Sequence, residues 1–243
     1  MTPRPPRLSI VVPAYNEAAR LPLTLPKMAE FCERQGSVEI LIVNDGSKDS
    51  TAAVVQEFAV RHPFARLLQN PGNRGKGYSV RHGMQEAQGD WILSTDADLS
   101  SPLEEVSKLW AAADRHQAAA AIGSRALDRS LVGVHQAAFR EASGRVFNVV
   151  MRAATGLPFR DTQCGFKLFR RDAAQAIFPR QRLDGFGFDV EDLLIARIHG
   201  FKVVEVPVRW DNVEGTKVSP LNGARAFWDL AVVRWHQLAG RYR

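Results

Sequence analysis

Four short apolar runs, separated by amphipathic stretches, fill the first hundred residues, and no other feature of the chain constrains its fold as much. Leu8-Ser-Ile-Val-Val12 is β-branched and stops at Pro13, and Val38-Glu-Ile-Leu-Ile-Val43 stops at the turn signal Asn44-Asp-Gly46. Further strands are predicted near Ala65–Leu68 and at Trp91–Ser94. Between them, helical spacing covers Leu21–Arg34 after Pro22 and Pro26, then a segment capped by Asp49-Ser-Thr51, then Tyr78–Ala87. Strands joined by helices of this length imply right-handed crossovers. The expected class is therefore α/β, a mainly parallel Rossmann-like sheet flanked by helices.

Beyond residue 100 the rhythm loosens. Helices are predicted at Pro102–Arg115, Gln136–Thr155, Glu191–His199 and Leu221–Tyr242, and strands at Ala118–Ile122, Cys164–Phe169 and Lys202–Val208. No Pro/Gly/Ser-rich linker divides the chain, so a single domain is expected after a flexible tail at 1–7, with 221–243 as a C-terminal amphipathic helix.

Composition excludes several classes. Hydrophobic residues make up 45% and charged residues 24%, too apolar a balance for a disordered chain. No apolar run approaches the roughly 20 residues that span a bilayer, and nothing after Met1–Arg7 resembles a secretory signal. Cys32 and Cys164 are too few for a disulfide framework and are expected as buried thiols in a cytoplasmic protein. The net charge of +6 points to an anionic partner: nucleic acid, a phosphorylated small molecule or an acidic lipid surface. The basic residues are dispersed and no recognition motif accompanies them, which argues against nucleic acid.

In an open parallel sheet, ligands bind beyond the carboxyl ends of the strands. Those ends are Pro13-Ala-Tyr-Asn-Glu17, Asn44–Thr51, Asn73-Arg-Gly-Lys-Gly77 and Thr95-Asp-Ala-Asp98, and each carries carboxylates, amides or glycines. Asp96 and Asp98, two apart on a fraying strand, would share a face and repel unless a cation sits between them. Mg²⁺ or Mn²⁺ completed by substrate phosphates meets that need, although turn aspartates are common. The 73–77 loop is neither G-x-G-x-x-G nor a Walker loop, yet its glycines allow close backbone approach, and Lys76 or Arg74 can meet an anion. Downstream, Arg125, Arg140, Arg145, Lys167 and Lys217 are basic residues near expected loops or helix faces. Arg140 and Ser143 share a helix face, and Arg125 closes Gly123-Ser-Arg125 at a strand end. Asp189 is placed either as an acid/base or sugar-hydroxyl ligand or as a helix cap.

Taken together, Ser9–Glu17, Val43–Thr51, Asn73–Gly77 and Asp96-Ala-Asp98 resemble the family 2 glycosyltransferases, which share the GT-A fold. Arg160–Phe169, Phe188-Asp-Val-Glu191 and Glu214-Gly-Thr-Lys-Val218 narrow the resemblance to the dolichyl-phosphate glucosyltransferases, from about Leu8 to the C-terminus. Eukaryotic members carry an N-terminal membrane helix, whereas this chain starts almost directly at the first strand. The resemblance implies a nucleotide-binding half at 8–100 and an acceptor-binding half at 101–220. It places Pro13, Tyr15, Glu17, Asp45, Lys76 and Asp96 around a uridine diphosphate sugar, with Asp98 and Asp96 on the metal. It assigns acceptor phosphate to Arg125, Arg140 and Ser143, and the position often used as base to Asp189.

The implied reaction is inverting transfer of glucose from UDP-glucose to a polyprenyl or dolichyl phosphate. That nucleophile is already anionic, so Asp189 is expected to orient the acceptor or a sugar hydroxyl more than to remove a proton. A lipid acceptor requires a membrane surface, and Phe227, Trp228, Trp235, Leu238 and Tyr242 with Arg225, Arg234 and Arg241 suit an in-plane helix on the cytoplasmic face. The same stripe would also suit packing on the core or on a second copy. Another nucleotide sugar, such as GDP-mannose or UDP-N-acetylglucosamine, a soluble or polysaccharide acceptor, or a sugar nucleotidyltransferase remain as alternatives.

Overall fold

The computed structural model describes residues 7–134, 138–213 and 220–243, with backbone alone for 134, 138–145 and 220–226. Strands β1 (Leu8–Ala14) and β2 (Val38–Asn44) are buried almost throughout, as continuous apolar strands covered on both faces must be. They pair in parallel, Leu8 opposite Val38 through Ala14 opposite Asn44. β3 (Ala65–Gln69) adds parallel to β2, and β4 (Trp91–Ser94) parallel to β1. Helices α1 (Leu21–Gln35), α2 (Thr51–Arg61) and α3 (Lys76–Glu86) supply the crossovers. This half follows the predicted alternation element by element.

The second half departs from it. After a 3₁₀ turn at Leu103–Glu105 come α4 (Val106–His116) and β5 (Ala120–Ser124), then β6 (Val132–Val134) and α5 (Ala138–Thr155). The expected strand at Cys164–Phe169 is β7 (Lys167–Arg170), and it runs antiparallel between β4 and β5. Apolar pattern carries no direction, so the sequence could not show this reversal. The helix α6 (Arg171–Ile177) follows unforeseen, and α7 (Phe188–Ile198) begins three residues before the expected start. β8 (Val203–Pro207) closes the sheet beside β5, in the order β3-β2-β1-β4-β7-β5-β8. The short β9 (Trp210–Asp211) pairs with β6 in a separate ribbon, and α8 (Pro220–Leu238) ends before Tyr242.

Each face of the sheet carries its own apolar layer. Met28 and Phe31 of α1, Phe58 of α2 and Leu109 of α4 cover one face. Val80 of α3, Met151 of α5, Ile177 of α6, Leu193 and Leu194 of α7 and Val233 of α8 cover the other. Cys32 and Cys164 are buried free thiols, pushed up to about 12 and about 11 chiefly by burial. Among the described residues no helix is long and apolar enough to cross a membrane.

Candidate active site

The antiparallel β7 brings its first residue to the edge where the parallel strands end. Lys167 pairs in register with Ser94 of β4 and Ile122 of β5, so its side chain enters the crevice that the strand ends already border.

On the side of β1 and β2, backbone and short side chains hold the loops. Asn16, at φ 52°, donates from its N–H to Ser47 Oγ at 2.9 Å, and Lys48 N–H donates to Asn16 Oδ1 at 2.8 Å. Glu17 N–H donates to Thr51 Oγ1 at 2.7 Å, and the Glu17 carboxylate takes Arg20 at 2.8 Å. Tyr15 is half-buried beside them, just past Pro13 in β1. Asp49 accepts from Thr51 N–H at the start of α2 and from Ala18 N–H, while Ser50 at the N-cap makes no side-chain cap bond.

The buried Asp45 is a local organiser. Its carboxylate accepts from Asn70 Nδ2 at 2.8 Å, Arg74 N–H at 2.9 Å and Gly75 N–H at 2.9 Å. Gly75 sits at φ 106°, a conformation that favours glycine, and this turn delivers Lys76 to the first position of α3.

Asp96 and Asp98 do not lie on a fraying strand, which corrects the sequence argument for their shared face. Leu99 N–H donates to Asp96 O at 3.1 Å with Leu99 at φ 50°, so both acids belong to a tight turn. Asp98 Oδ1 accepts from Ser100 N–H at 2.9 Å, and Asp96 Oδ1 lies 2.6 Å from Lys76 Nζ. Gly165 leaves the room for Asp96, because a Cβ there would stand 2.5 Å from Asp96 Oδ2.

Two further ion pairs complete the crevice. Arg125, expected to hold an acceptor phosphate, grips Asp161 through its Nε and Nη2 at 2.7 and 2.9 Å, while its backbone N–H reaches the same carboxylate. Its guanidinium also lies over Trp210 of β9 at 5.4 Å, so carboxylate and ring together fix its orientation. Its Nη1 makes no hydrogen bond among the described residues. Lys167 Nζ pairs with Asp189 and donates to Cys164 O at 2.6 Å. Asp189 lies in the first turn of α7, yet the helix has no side-chain cap and the acid is committed to Lys167.

Burial works against the charged forms of Asp96, Asp161, Asp189 and Lys76, and its balance with their partners sets the direction at each. Burial is outweighed at Asp96 by Lys76, Lys167 and Arg125, which hold its carboxyl below the ordinary range, and at Asp161 by Arg125. At Asp189 burial prevails over Lys167 and Lys76, so its carboxyl is raised. Burial alone would lower Lys76, but Asp96, Asp189 and Asp98 keep it above the ordinary lysine range.

Lys76, Arg125 and Lys167 thus face Asp96, Asp98, Asp161 and Asp189, leaving one carboxylate in excess. A cation accompanying a diphosphate would offset its repulsion by these carboxylates. Among the described residues no three His, Cys, Asp or Glu side chains form a complete metal cage. The hard oxygens of Asp98 and Asp96 fit a divalent ion whose remaining positions are filled by substrate oxygens and water. At the start of α3, Asn73–Lys76, Asp184–Phe186 and Asp229 of α8 line a cavity of about 210 Å³.

The side chains of Arg140, Ser143 and Arg145, and all of Glu214–Val218 including Lys217, lie outside the described residues. Reasoning from sequence did not find Asp161 as the partner of Arg125, nor Asn70 behind Asp45. Partners 36 and 25 residues apart leave no local trace.

Residues 9–178 match glycosyl transferase family 2. The chain belongs to that family. This glycosyltransferase is 36% identical to a dolichyl-phosphate beta-glucosyltransferase of Trichomonas vaginalis, over 96% of its own length and 72% of the relative's. It is 33% identical to the human dolichyl-phosphate beta-glucosyltransferase, over 98% of its length and 78% of the human chain. Among solved structures it is similar to glucosyl-3-phosphoglycerate synthase from Mycobacterium tuberculosis in complex with Mn²⁺, UDP-glucose and phosphoglyceric acid. The TM-score is 0.66 at 17% identity, covering 94% of this chain and 80% of that one. A mannosyltransferase from Pyrobaculum calidifontis in complex with GDP-mannose and Mn²⁺ gives 0.55 at 19% identity, over 89% and 59% of the two chains. These likenesses show the GT-A fold, and with the family match they make the chain a hexosyltransferase.

Proposed function

We propose that this glycosyltransferase moves glucose from UDP-glucose to a polyprenyl phosphate of the dolichyl type, with inversion, releasing UDP. The observation that carries the proposal is the meeting of Lys76–Asp96, Arg125–Asp161 and Lys167–Asp189 at one sheet edge, beside loops held open by Asp45 and Asn16. Its similarity to dolichyl-phosphate beta-glucosyltransferases supports both sugar and acceptor.

Pro13, Tyr15, Glu17 and Asp45 border the place for the uridine, and Lys76 reaches toward the diphosphate. A divalent ion, Mg²⁺ or Mn²⁺, held by Asp98 and Asp96 would supply positive charge to the leaving diphosphate. Arg125, aimed by Asp161 and Trp210, presents Nη1 to the acceptor phosphate, with Arg140 and Ser143 as further contacts. The acceptor oxygen is anionic at neutral pH and needs little deprotonation. Asp189, committed to Lys167, therefore orients the acceptor or a sugar hydroxyl in line for attack.

The membrane surface belongs to the same proposal. Trp228, Trp235 and Leu238 of α8 and Val146 and Val149 of α5 are each more than half exposed. The two helices meet through Phe147 and Phe227, whose ring centroids are 5.5 Å apart. Arg152, Arg234 and Arg241 are exposed along these helices and beyond the end of α8, and Arg241 stacks on Trp235 at 4.1 Å. Aromatic, aliphatic and basic groups together suit peripheral attachment to an anionic, cytoplasmic-facing bilayer.

A UDP-release assay over a panel of nucleotide sugars, with and without polyprenyl phosphate, tests the reaction. Lipid-dependent turnover with UDP-glucose is expected. Turnover with no lipid phosphate would move the acceptor to the soluble class, and preference for another sugar nucleotide would replace the donor.

A further inference from the structure

Glu191 is fully buried on α7, two residues past Asp189, and touches nothing in the crevice. Its Oε2 accepts from the backbone N–H groups of Arg182 and Leu183 at 3.0 and 2.8 Å, and its Oε1 accepts from the Tyr242 hydroxyl at 2.7 Å. Tyr242, 1% exposed, is bolted at both ends, since its main-chain oxygen lies 2.8 Å from His199 Nε2. His236 Nδ1 of α8 stands 3.3 Å from the same hydroxyl.

The segment held by Glu191 is the one that seats the start of α3. Asp184 O accepts from Tyr78 N–H at 3.2 Å, and Gln181 Nε2 donates to Gly77 O at 2.9 Å. The Asp184 carboxylate takes Arg81 at 2.7 Å and Arg74 at 3.5 Å, and both guanidinium groups lie over the Tyr78 ring. Gly77 has no space for a Cβ, which would lie 2.6 Å from Leu183 O and 2.8 Å from Gly185 O. Lys76 is the residue between Gly75 and Gly77, so its ammonium is placed against Asp96 by a surface that Glu191 sets. Asp229 of α8 bears on the same region, 2.5 Å from where a Cβ on Gly187 would stand.

We propose that Tyr242 and Glu191 are positioning residues for the donor site, acting through residues 181–185 on Lys76. The last turn of the chain thereby sets the affinity of the nucleotide half, more than a hundred and sixty positions earlier in the sequence. This inference rests on the assignment of Lys76 to the donor diphosphate. Both residues act through protein partners, and Arg125, assigned to the acceptor, is held independently by Asp161 and Trp210.

The test uses the full chain and UDP with Mn²⁺, followed by calorimetry, so that it does not depend on turnover. Tyr242→Phe removes one hydroxyl and keeps the ring. It is expected to weaken UDP binding and raise the UDP-glucose KM by about tenfold, leaving the polyprenyl-phosphate KM within about twofold. Glu191→Gln keeps a carbonyl for the Arg182 and Leu183 amides and an NH₂ that can donate to the phenol, so it is expected to stay near wild type. Glu191→Ala should lose UDP affinity as Tyr242→Phe does. Amide hydrogen exchange at 182–185 should quicken in Tyr242→Phe and Glu191→Ala and stay slow in Glu191→Gln. UDP affinity unmoved in Tyr242→Phe, or donor and acceptor KM raised in equal proportion, overturns the positioning role. Wild-type protein that binds no UDP overturns instead the assignment of the donor site, which separates the two failures.

Discussion

The two halves of the crevice are built by different means. On the β1–β2 side, loop backbone does the holding: Asp45 gathers two backbone N–H groups and the Asn70 amide, and Asn16 latches onto Ser47 and Lys48. On the β5–β7–α7 side, buried ion pairs do it, with Lys167 on Asp189 and Arg125 on Asp161. An exposed latch such as Lys48 N–H on Asn16 costs little when lost, because water can replace it, while the buried Asp45 costs more. An ion pair removed from water leaves an uncompensated charge when one partner goes, so the β5–β7–α7 side is the more brittle.

The largest expected effect falls on the buried pairs, with the half-buried Lys76–Asp96 pair as the comparison. Lys167→Ala leaves Asp189 buried without its ion-pair partner and should cost about 3–5 kcal/mol in urea unfolding. Lys76→Ala breaks a pair with 24% and 36% of its side chains exposed and should cost about 1 kcal/mol or less. Equal costs would erase the distinction between the halves. Next in size, Asp45→Ala strands the Arg74, Gly75 and Asn70 donors. It should lower stability by about 2 kcal/mol, with UDP affinity falling by more than the acceptor affinity.

A chelator should weaken UDP-glucose binding to the wild type by about tenfold or more, and Asp98→Asn should weaken it similarly and make it indifferent to chelator. Calorimetry with and without added Mn²⁺ reads this. An Asp98→Asn protein that kept the full chelator response would place the cation elsewhere.

The smallest effect lies behind the crevice. Asp192 is 2% exposed, its Oδ1 has no partner among the described residues, and burial with Glu191 and Asp189 nearby raises its carboxyl well above the ordinary range. A raised acid binds a proton in the folded state that the unfolded chain has already released. Its contribution therefore declines as pH climbs from the ordinary carboxylate value toward its folded one. Asp192→Asn should add about 1 kcal/mol at neutral pH and flatten that decline. Asp189 and Glu191, also raised, leave part of the slope in place. Asp96 and Asp161, held low, work the other way: their contribution is present above the ordinary carboxylate range and is lost as pH falls through their folded values. A stability profile of Asp192→Asn as steep as the wild type would mean that the group is ionised in place.

Legibility followed the same division. β1 to β4 and α1 to α3 were readable because a strand covered on both faces must be apolar throughout, and because Pro13, Asn44-Asp-Gly46 and Gly75 mark turns by local chemistry. Asp96 and Asp98 were readable as a pair, although their shared turn was not, since two-residue spacing fits a strand as well as a turn. The Asp161 fork on Arg125 had no signature, and the stripe containing Tyr242 was open in sequence between a membrane face and packing on the core, where the fold buries Tyr242 against α7. An amphipathic pattern gives a face but not the neighbour that covers it.

What the chain determined by itself is the alternation of strand and helix, the polar composition of the strand ends and membership in a transferase family, because each is written in contiguous residues. The direction of β7 and the pairing of Lys167 with Asp189 were decided only in three dimensions, and so was the route from Tyr242 to Lys76. The reason is that Coulombic and hydrogen-bond partners are chosen by proximity after the sheet has closed, and short local pattern carries no record of which distant strand will lie alongside.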